Sequence, residues 1–299
     1  MTKKHRRNRL EENNVERFAW VFLSAMCILF LFPMVVAVMI SISSYDSIKM
    51  NGYQIIPAEF SLEAYRILIT DYGKALIRSI ALTVGTGLLQ PALSIALTVM
   101  IAYPLSQSDF KGSKFWKCYV LITMLFSGGI VSTYVLNAKY LGLRDNVLVY
   151  ILPSLAGWNI FLFRTFFAGI DKAMVESAKI DGANNIQVLF KIMLPLTKPL
   201  VAINFFSGFL ARWNDITTPL YYISKRELFT VQYLLQELLR SAESLKLMMQ
   251  SGLAVSYTET PVESIRFALA VVGALPVFLL FPYMQKYYAK GITLGSTKG

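Results

Sequence analysis

The side chains in this 299-residue sequence with the clearest capacity for chemistry are a guanidinium and a carboxylate three residues apart, Arg212 and Asp215, set in an otherwise apolar run. At that spacing on a helix they can pair, and an isolated charge in hydrocarbon costs on the order of 3 kcal/mol or more, so both are expected to face a protein interior or a wet cavity. Trp213 and Asn214 lie between them, and Asn204 falls two turns below, in reach of the same groove. A structural pair or subunit contact and a place on a solute path both fit these residues. Asn159 and Tyr134 are further polar groups in apolar stretches, and Gly128-Gly129 marks a kink, close packing or the approach of a solute. The rest of the inventory is negative. The one histidine, His5, lies in a basic tail, the two cysteines, Cys27 and Cys118, lie in or beside apolar runs, and no G-x-x-x-x-G-K-S/T phosphate loop occurs. A metal-ligand set, a supported nucleophile and nucleotide hydrolysis are therefore not expected of this chain.

A second kind of chemistry, recognition rather than reaction, is written in the polar island from Glu176 to Pro195. Residues Ala173 to Ile180 hold no helix breaker, and Asp181-Gly182 then supplies a turn in which glycine is free to adopt the left-handed conformation that ends a helix. Asn184 followed three places later by Gln187 is a capping-box pattern that starts a second helix, with Ile186, Leu189, Phe190 and Met193 expected on one face. Small residues at Ala173, Ser177 and Ala178 admit another surface closely, and Glu176 offers a carboxylate to a basic partner. The island reads as a handle by which a cytoplasmic protein grips the chain.

These residues must be positioned by membrane spans. Mean hydropathy is +0.51, and 55% of residues are hydrophobic against 16% charged, which places the chain among all-α polytopic membrane proteins. The formal net charge of +11 then reads as basic cytoplasmic loops beside anionic headgroups rather than a nucleic-acid surface. Six spans are expected, at about Phe18–Ile42, Leu76–Leu105, Trp116–Leu136, Val147–Phe167, Pro199–Tyr222 and Ser264–Met284. The first is too long for a signal-peptide core. The basic tail 1–17 and the Lys111, Lys114 and Lys117 loop put both termini inside. Outside lies 43–74, with an apolar patch at Leu62, Tyr65, Ile67 and Leu68. So does an amphipathic segment, 223–262, whose apolar face of Val231, Leu234, Leu235, Leu238, Ala242, Leu245 and Met249 rests on the membrane or a partner and ends at Ser251-Gly252. Arg164, near the inner end of the fourth span, is expected to snorkel to the cytoplasmic surface.

The pattern Glu176-Ser177-Ala178, Asp181-Gly182-Ala183 and Ile192-Met193-Leu194-Pro195 resembles the signature loop of permease subunits of ATP-binding-cassette importers, with Ser177 the one departure. Phe126-Ser127-Gly128-Gly129, Leu141-Gly142-Leu143, Trp213-Asn214 and the tail Tyr288 to Gly295 extend the resemblance to carbohydrate-importer permeases of the maltose-permease type, in the branch that handles complex oligosaccharides. That resemblance implies a type I importer permease fold over 18–290 in a bacterial cytoplasmic (inner) membrane. It implies that loop 171–195 is a coupling helix docking on an ATPase subunit, through Glu176, Ser177, Ala178, Asp181, Gly182, Ala183 and Asn184. It also implies an oligosaccharide substrate, a second similar permease subunit as heterodimer partner, an extracytoplasmic solute-binding protein, and two ATP-binding subunits that hold ATP and Mg, so that this chain is not the enzyme and carries no cofactor. The tail 291–299 then either approaches the ATPase pair or is disordered. The substrate-path candidates are Arg212, Trp213, Asn214, Asp215, Asn204, Asn159, Tyr134, Gly128 and Gly129, and they suit an acidic oligosaccharide, with a neutral one fitting Trp213, Tyr134 and Asn159 nearly as well. The alternatives are an importer permease for a non-sugar solute such as polyamine or phosphate, and an ion-coupled secondary transporter. For the latter only Asp215 is a candidate carboxylate.

Overall fold

The computed structural model describes residues 3–152, 156–250 and 262–296, and these are helices joined by turns, with a single isolated bridge between Ser43 and Phe60. The chain divides into two compact units, Met1–Gly73 with Leu238–Ala274 and Lys74–Glu237 with Leu275–Gly299. Among the described residues three helices are long and apolar enough to cross a membrane: Val15–Ser41, Glu63–Ser106 and Glu263–Pro282. Two bent pairs meet the same criterion together, Ser113–Leu125 with Gly129–Tyr140 at 108° and Asn185–Leu196 with Lys198–Trp213 at 79°, giving up to five spans by length and composition. The expected fourth span, 147–167, falls into two short helices on either side of 153–155; Pro153 lies outside the described residues.

In the first unit, helix α1 (Lys3–Ser41) carries the first span and its preceding tail as one rod. Ser44 caps α2 (Tyr45–Asn51), its hydroxyl accepting from the Ser47 N–H. The patch at Leu62, Tyr65, Ile67 and Leu68 is no separate surface element: it is the opening of α3 (Glu63–Ser106), a 44-residue helix that runs unbroken into the second span. No proline lies between them, the helix carries Gly73 without a break, and Tyr65 Oη meets Ser41 Oγ at 2.8 Å. At the other edge of the unit, Ser264 Oγ in the last helix, α14 (Val262–Ser296), donates to the Ser43 carbonyl at 3.1 Å.

The second unit holds a hydrophobic cluster of buried residues drawn from several helices. Gly112, at φ +83°, precedes α4 (Ser113–Leu125), so Lys114 and Lys117 sit on its first turns rather than in a loop. The chain then turns sharply at Phe126-Ser127-Gly128 into α5 (Gly129–Val135) and a π-turn, Leu136–Tyr140. Gly129 has φ +78° and nothing within 4 Å of where a Cβ would stand, so it serves the kink, whereas a Cβ on Gly128 would meet Ser132 Cβ at 3.4 Å. After α6 (Leu148–Ile151), helix α7 (Gly157–Ala168) buries Ile160, Phe163 and Phe167 against Val99, Ala102, Tyr103 and Leu105 of α3 and Val120 of α4. Arg164 is partly exposed, and its Nε donates to the Leu105 carbonyl at 3.2 Å, satisfying the C-terminal end of α3.

Further along lie α8 (Lys172–Ile180), α9 (Asn185–Val188), α10 (Leu194–Leu196), α11 (Lys198–Trp213), α12 (Thr217–Tyr222) and α13 (Val231–Gln250). Pro199 occupies the first turn of α11, where its missing N–H costs no helical bond. In α13, Val231, Leu234, Leu235 and Leu238 are buried, so this half of the amphipathic face is covered by the protein itself instead of by membrane or partner. The side chains of Ala242, Leu245 and Met249 and the expected end at Ser251-Gly252 lie outside the described residues, as do the side chains of the basic N-terminal tail and of the C-terminal tail.

Candidate functional site: a polar cavity and a capped loop

Arg212 stands in the last turn of α11, and Asp215 lies just past its end, where the chain turns toward α12. Their side chains pair through Arg212 Nη1 and Asp215 Oδ2, and both are largely buried, at 12% and 14% exposed. The expected pairing is present, but it bridges a helix end rather than running along a helix. Three further contacts fix the pair: Asp215 Oδ1 accepts from the Thr218 N–H at 3.0 Å, the Asp215 carbonyl accepts from Thr230 Oγ1 at 3.0 Å, and the guanidinium carbon lies 5.5 Å from the centre of the Tyr150 ring. Arg212 Nε is buried and has no hydrogen-bond partner.

This pair opens onto a cavity of about 460 Å³ whose polar lining comes from Gln90 and Ser94 of α3, Asn159 of α7, Asn204 and Ser207 of α11, and Thr218 of α12. Helices α3 and α11 approach closely beside it because Gly208 faces Pro91 and Gly87 faces Phe209 and the Arg212 stem. Of the nine path candidates the structure brings together Arg212, Asp215, Asn204 and Asn159. It does not bring Trp213, whose indole is 1% exposed and stacks on Phe209 with ring centres 6.1 Å apart. Asn214 donates to the Leu210 carbonyl, Tyr134 rests on Tyr222 with ring centres 5.5 Å apart, and Gly128 and Gly129 form the kink described above; none of these lines the cavity. Gln90, Ser94 and Ser207 do so without having been singled out as path residues. A glutamine in the middle of an apolar helix, one residue before Pro91, was the available signal.

The loop from Lys172 to Leu196 is built by its caps. Asp171 accepts from the Ala173 N–H at 3.0 Å to start α8, and Gly182 at φ +84° turns the chain out of it. Asn184 and Gln187 then form the reciprocal capping box: the Gln187 N–H donates to Asn184 Oδ1 at 2.8 Å, and the Asn184 N–H donates to Gln187 Oε1 at 2.9 Å. The expected apolar face divides. Leu189 and Met193 are buried with Val188 in the core cluster, whereas Ile186 and Phe190 are 68% and 54% exposed. A π-turn over Leu189–Met193 widens the spacing to i, i+5 and rotates these positions apart. Burial of Val188, Leu189 and Met193 is worth roughly 1.5–3 kcal/mol each, enough to seat the loop firmly on α3, α4 and α7. Glu176, Ser177, Asp181, Gly182 and Asn184 stay exposed, while Ala178 and Ala183 turn partly inward.

Residues 12–294 match the family described as binding-protein-dependent transport system inner membrane component. The chain is 34% identical over 298 residues to the polygalacturonan/rhamnogalacturonan transport system permease protein of Bacillus subtilis (strain 168), spanning 98% of this chain and 100% of that one. It is 28% identical to the arabinooligosaccharides transport system permease protein of the same organism, over 93% of this chain and 94% of that one. Among solved structures, a chain of a bacterial ABC transporter involved in the import of the acidic polysaccharide alginate superposes with a TM-score of 0.79 at 26% identity, covering 93% of this chain and 98% of that chain.

Proposed function

The chain belongs to the family of binding-protein-dependent transport system inner membrane components, and from that premise we propose that this sugar ABC transporter permease translocates an acidic oligosaccharide delivered by a solute-binding protein. The observation that carries the substrate class is the polar cavity with Arg212 at its wall. A guanidinium is a strong, directional partner for a uronate carboxylate, and the amides of Gln90, Asn159 and Asn204 with the hydroxyls of Ser94, Ser207 and Thr218 suit sugar hydroxyls. The names of the polygalacturonan/rhamnogalacturonan and alginate systems support an acidic substrate. A neutral oligosaccharide is the second reading, favoured by the fact that Asp215 already neutralises Arg212 and by the arabinooligosaccharide relative.

Energy enters from outside this chain in this reading. The capped loop Glu176 to Pro195 docks on one of two ATP-binding subunits, which hold ATP and Mg, and a second permease subunit shares the translocation path. Both termini then face the cytoplasm. Closure of the ATPases pushes the loop as a rigid lever because its caps and buried side chains hold its shape. The test is ATP hydrolysis by the reconstituted complex, stimulated by binding protein loaded with trigalacturonate or with neutral arabinotriose. Stimulation by the acid alone supports the acidic reading, and stimulation by arabinotriose alone replaces it with the neutral one. Glu176→Ala with Gly182→Pro is expected to abolish stimulation or assembly; full stimulation in that variant refutes the coupling role.

A further inference from the structure

We infer that Asp215 is the specificity-determining residue of the cavity: its carboxylate holds the seat on Arg212 that a substrate carboxylate takes, so an acidic saccharide is admitted by exchange of one carboxylate for another. The inference rests on the reading that the cavity receives the saccharide.

The hydrogen bonding of the pair is what carries it. A guanidinium presents five N–H donors in a fork that matches both oxygens of a carboxylate, and the two-bond arrangement is its strongest. Asp215 uses only one oxygen on it, Oδ2, and turns Oδ1 away to the Thr218 N–H. Arg212 Nε is left buried without an acceptor. The resident pair is therefore held by one strong bond where the fork can form two, and because Nε is closed to solvent an incoming carboxylate must take the Nη1 position that Asp215 now holds. Tyr150, fully buried and 5.5 Å from the guanidinium carbon, holds the cation in place from its face whichever carboxylate pairs with it.

The departing side is equally prepared. When Asp215 leaves Arg212 it keeps the Thr218 N–H on Oδ1, and its carbonyl keeps the Thr230 hydroxyl. Exchange therefore removes one charge-assisted bond from Asp215 without stranding it, and Ser94, Ser207 and Asn204 line the same space. A saccharide without a carboxylate has no group that competes for the guanidinium and meets a closed, neutral pair. Asp215 thereby sets a threshold that the ligand's own charge must pass.

The measurement is calorimetric binding of trigalacturonate and of its methyl ester to the assembled permease–ATPase complex in lipid nanodiscs. Asp215→Asn removes the competing charge but keeps an acceptor for Thr218. It is expected to strengthen trigalacturonate binding at least tenfold over wild type, with the ester changed less than twofold and the acid's salt dependence steeper. Equal changes for acid and ester overturn the inference and leave Asp215 a structural anchor. If Arg212→Gln abolishes acid binding while Asp215→Asn leaves it unchanged, the exchange is wrong and the cavity reading stands. Acid binding that survives Arg212→Gln removes the cavity reading and the exchange with it. Should the asparagine variant fail to assemble, Asp215→Glu serves: the longer carboxylate, competing better, lowers the acid-to-ester affinity ratio at least threefold, and an unchanged ratio overturns the inference.

Discussion

Gly208 of α11 lies against Pro91 of α3 so closely that a Cβ placed on the glycine would stand 2.7 Å from the proline Cβ, inside any real carbon–carbon contact. The proline ring cannot rotate out of the way, so the two helices themselves must part.

Gly208→Ala is accordingly expected to destabilise the folded permease by about 1–3 kcal/mol, the usual cost of overpacking. Gly85→Ala on the same α3 is a matched control, because a Cβ there has nothing within 4 Å. Thermal unfolding of the two variants in detergent measures the difference, and equal midpoints would show that the α3–α11 approach is looser than described.

Thr83 is fully buried, and its Oγ1 accepts from the Val231 N–H at 2.9 Å while donating to the Ser79 carbonyl at 2.7 Å. Thr83→Val fills the same space but leaves the Val231 N–H unsatisfied, at a cost of about 1–3 kcal/mol. Thr83→Ser keeps the hydroxyl and is expected to recover most of that stability in the same assay.

Breaking the capping box with Asn184→Ala is expected to cost the loop about 1 kcal/mol. Adding Gln187→Ala to that variant changes little further, because the two side chains satisfy each other's backbone N–H groups as one unit. Hydrogen exchange at the Gln187 amide reports the loss, and additive effects of the two substitutions would mean that the box does not act as a unit.

Asp145, itself at φ +54°, receives the N–H groups of Ser224 and Lys225, the latter at 3.0 Å. Those two bonds hold its carboxyl below the ordinary range, helped by the charges of Lys225 and Arg144. A depressed carboxyl stabilises the folded state fully above its unfolded value of about 4, and the contribution is lost as pH falls through the lower folded value. Protection of the Ser224 and Lys225 amides is therefore expected to hold from neutral pH down to about 5 and to fade below 4. Asp145→Asn removes that acid dependence, and a wild-type profile in the variant would exclude the clamp.

The local features that one residue type enforces were legible in the sequence: the left-handed turn at Gly182, the box of Asn184 with Gln187, Pro199 in a first turn, and the pairing of Arg212 with Asp215. Each depends on neighbours three or four positions away. What the sequence concealed depends on longer range. Trp213 looked available to a sugar, yet its indole is buried against Phe209 because the end of α11 turns that face inward. Phe190 and Met193 share a helical stripe on paper and part company across a π-turn that no residue type announces. Gln90 and Ser207 belong to one cavity only because Gly208 lets α3 and α11 touch, a coincidence of two helices more than a hundred residues apart.

Helix α11 begins at the 79° bend that closes the capped loop and ends, 16 residues later, at Arg212 and Trp213. It is a strut of about 24 Å at 1.5 Å per residue. Arg212 rides on its far tip, whereas Asp215 is moored beyond the tip to Thr218 and Thr230. The Asp215 N–H also donates to the Arg212 carbonyl at 3.2 Å, so the bend and the ion pair are the two ends of one helix, and the carboxylate is tied both to that helix and to what lies beyond it.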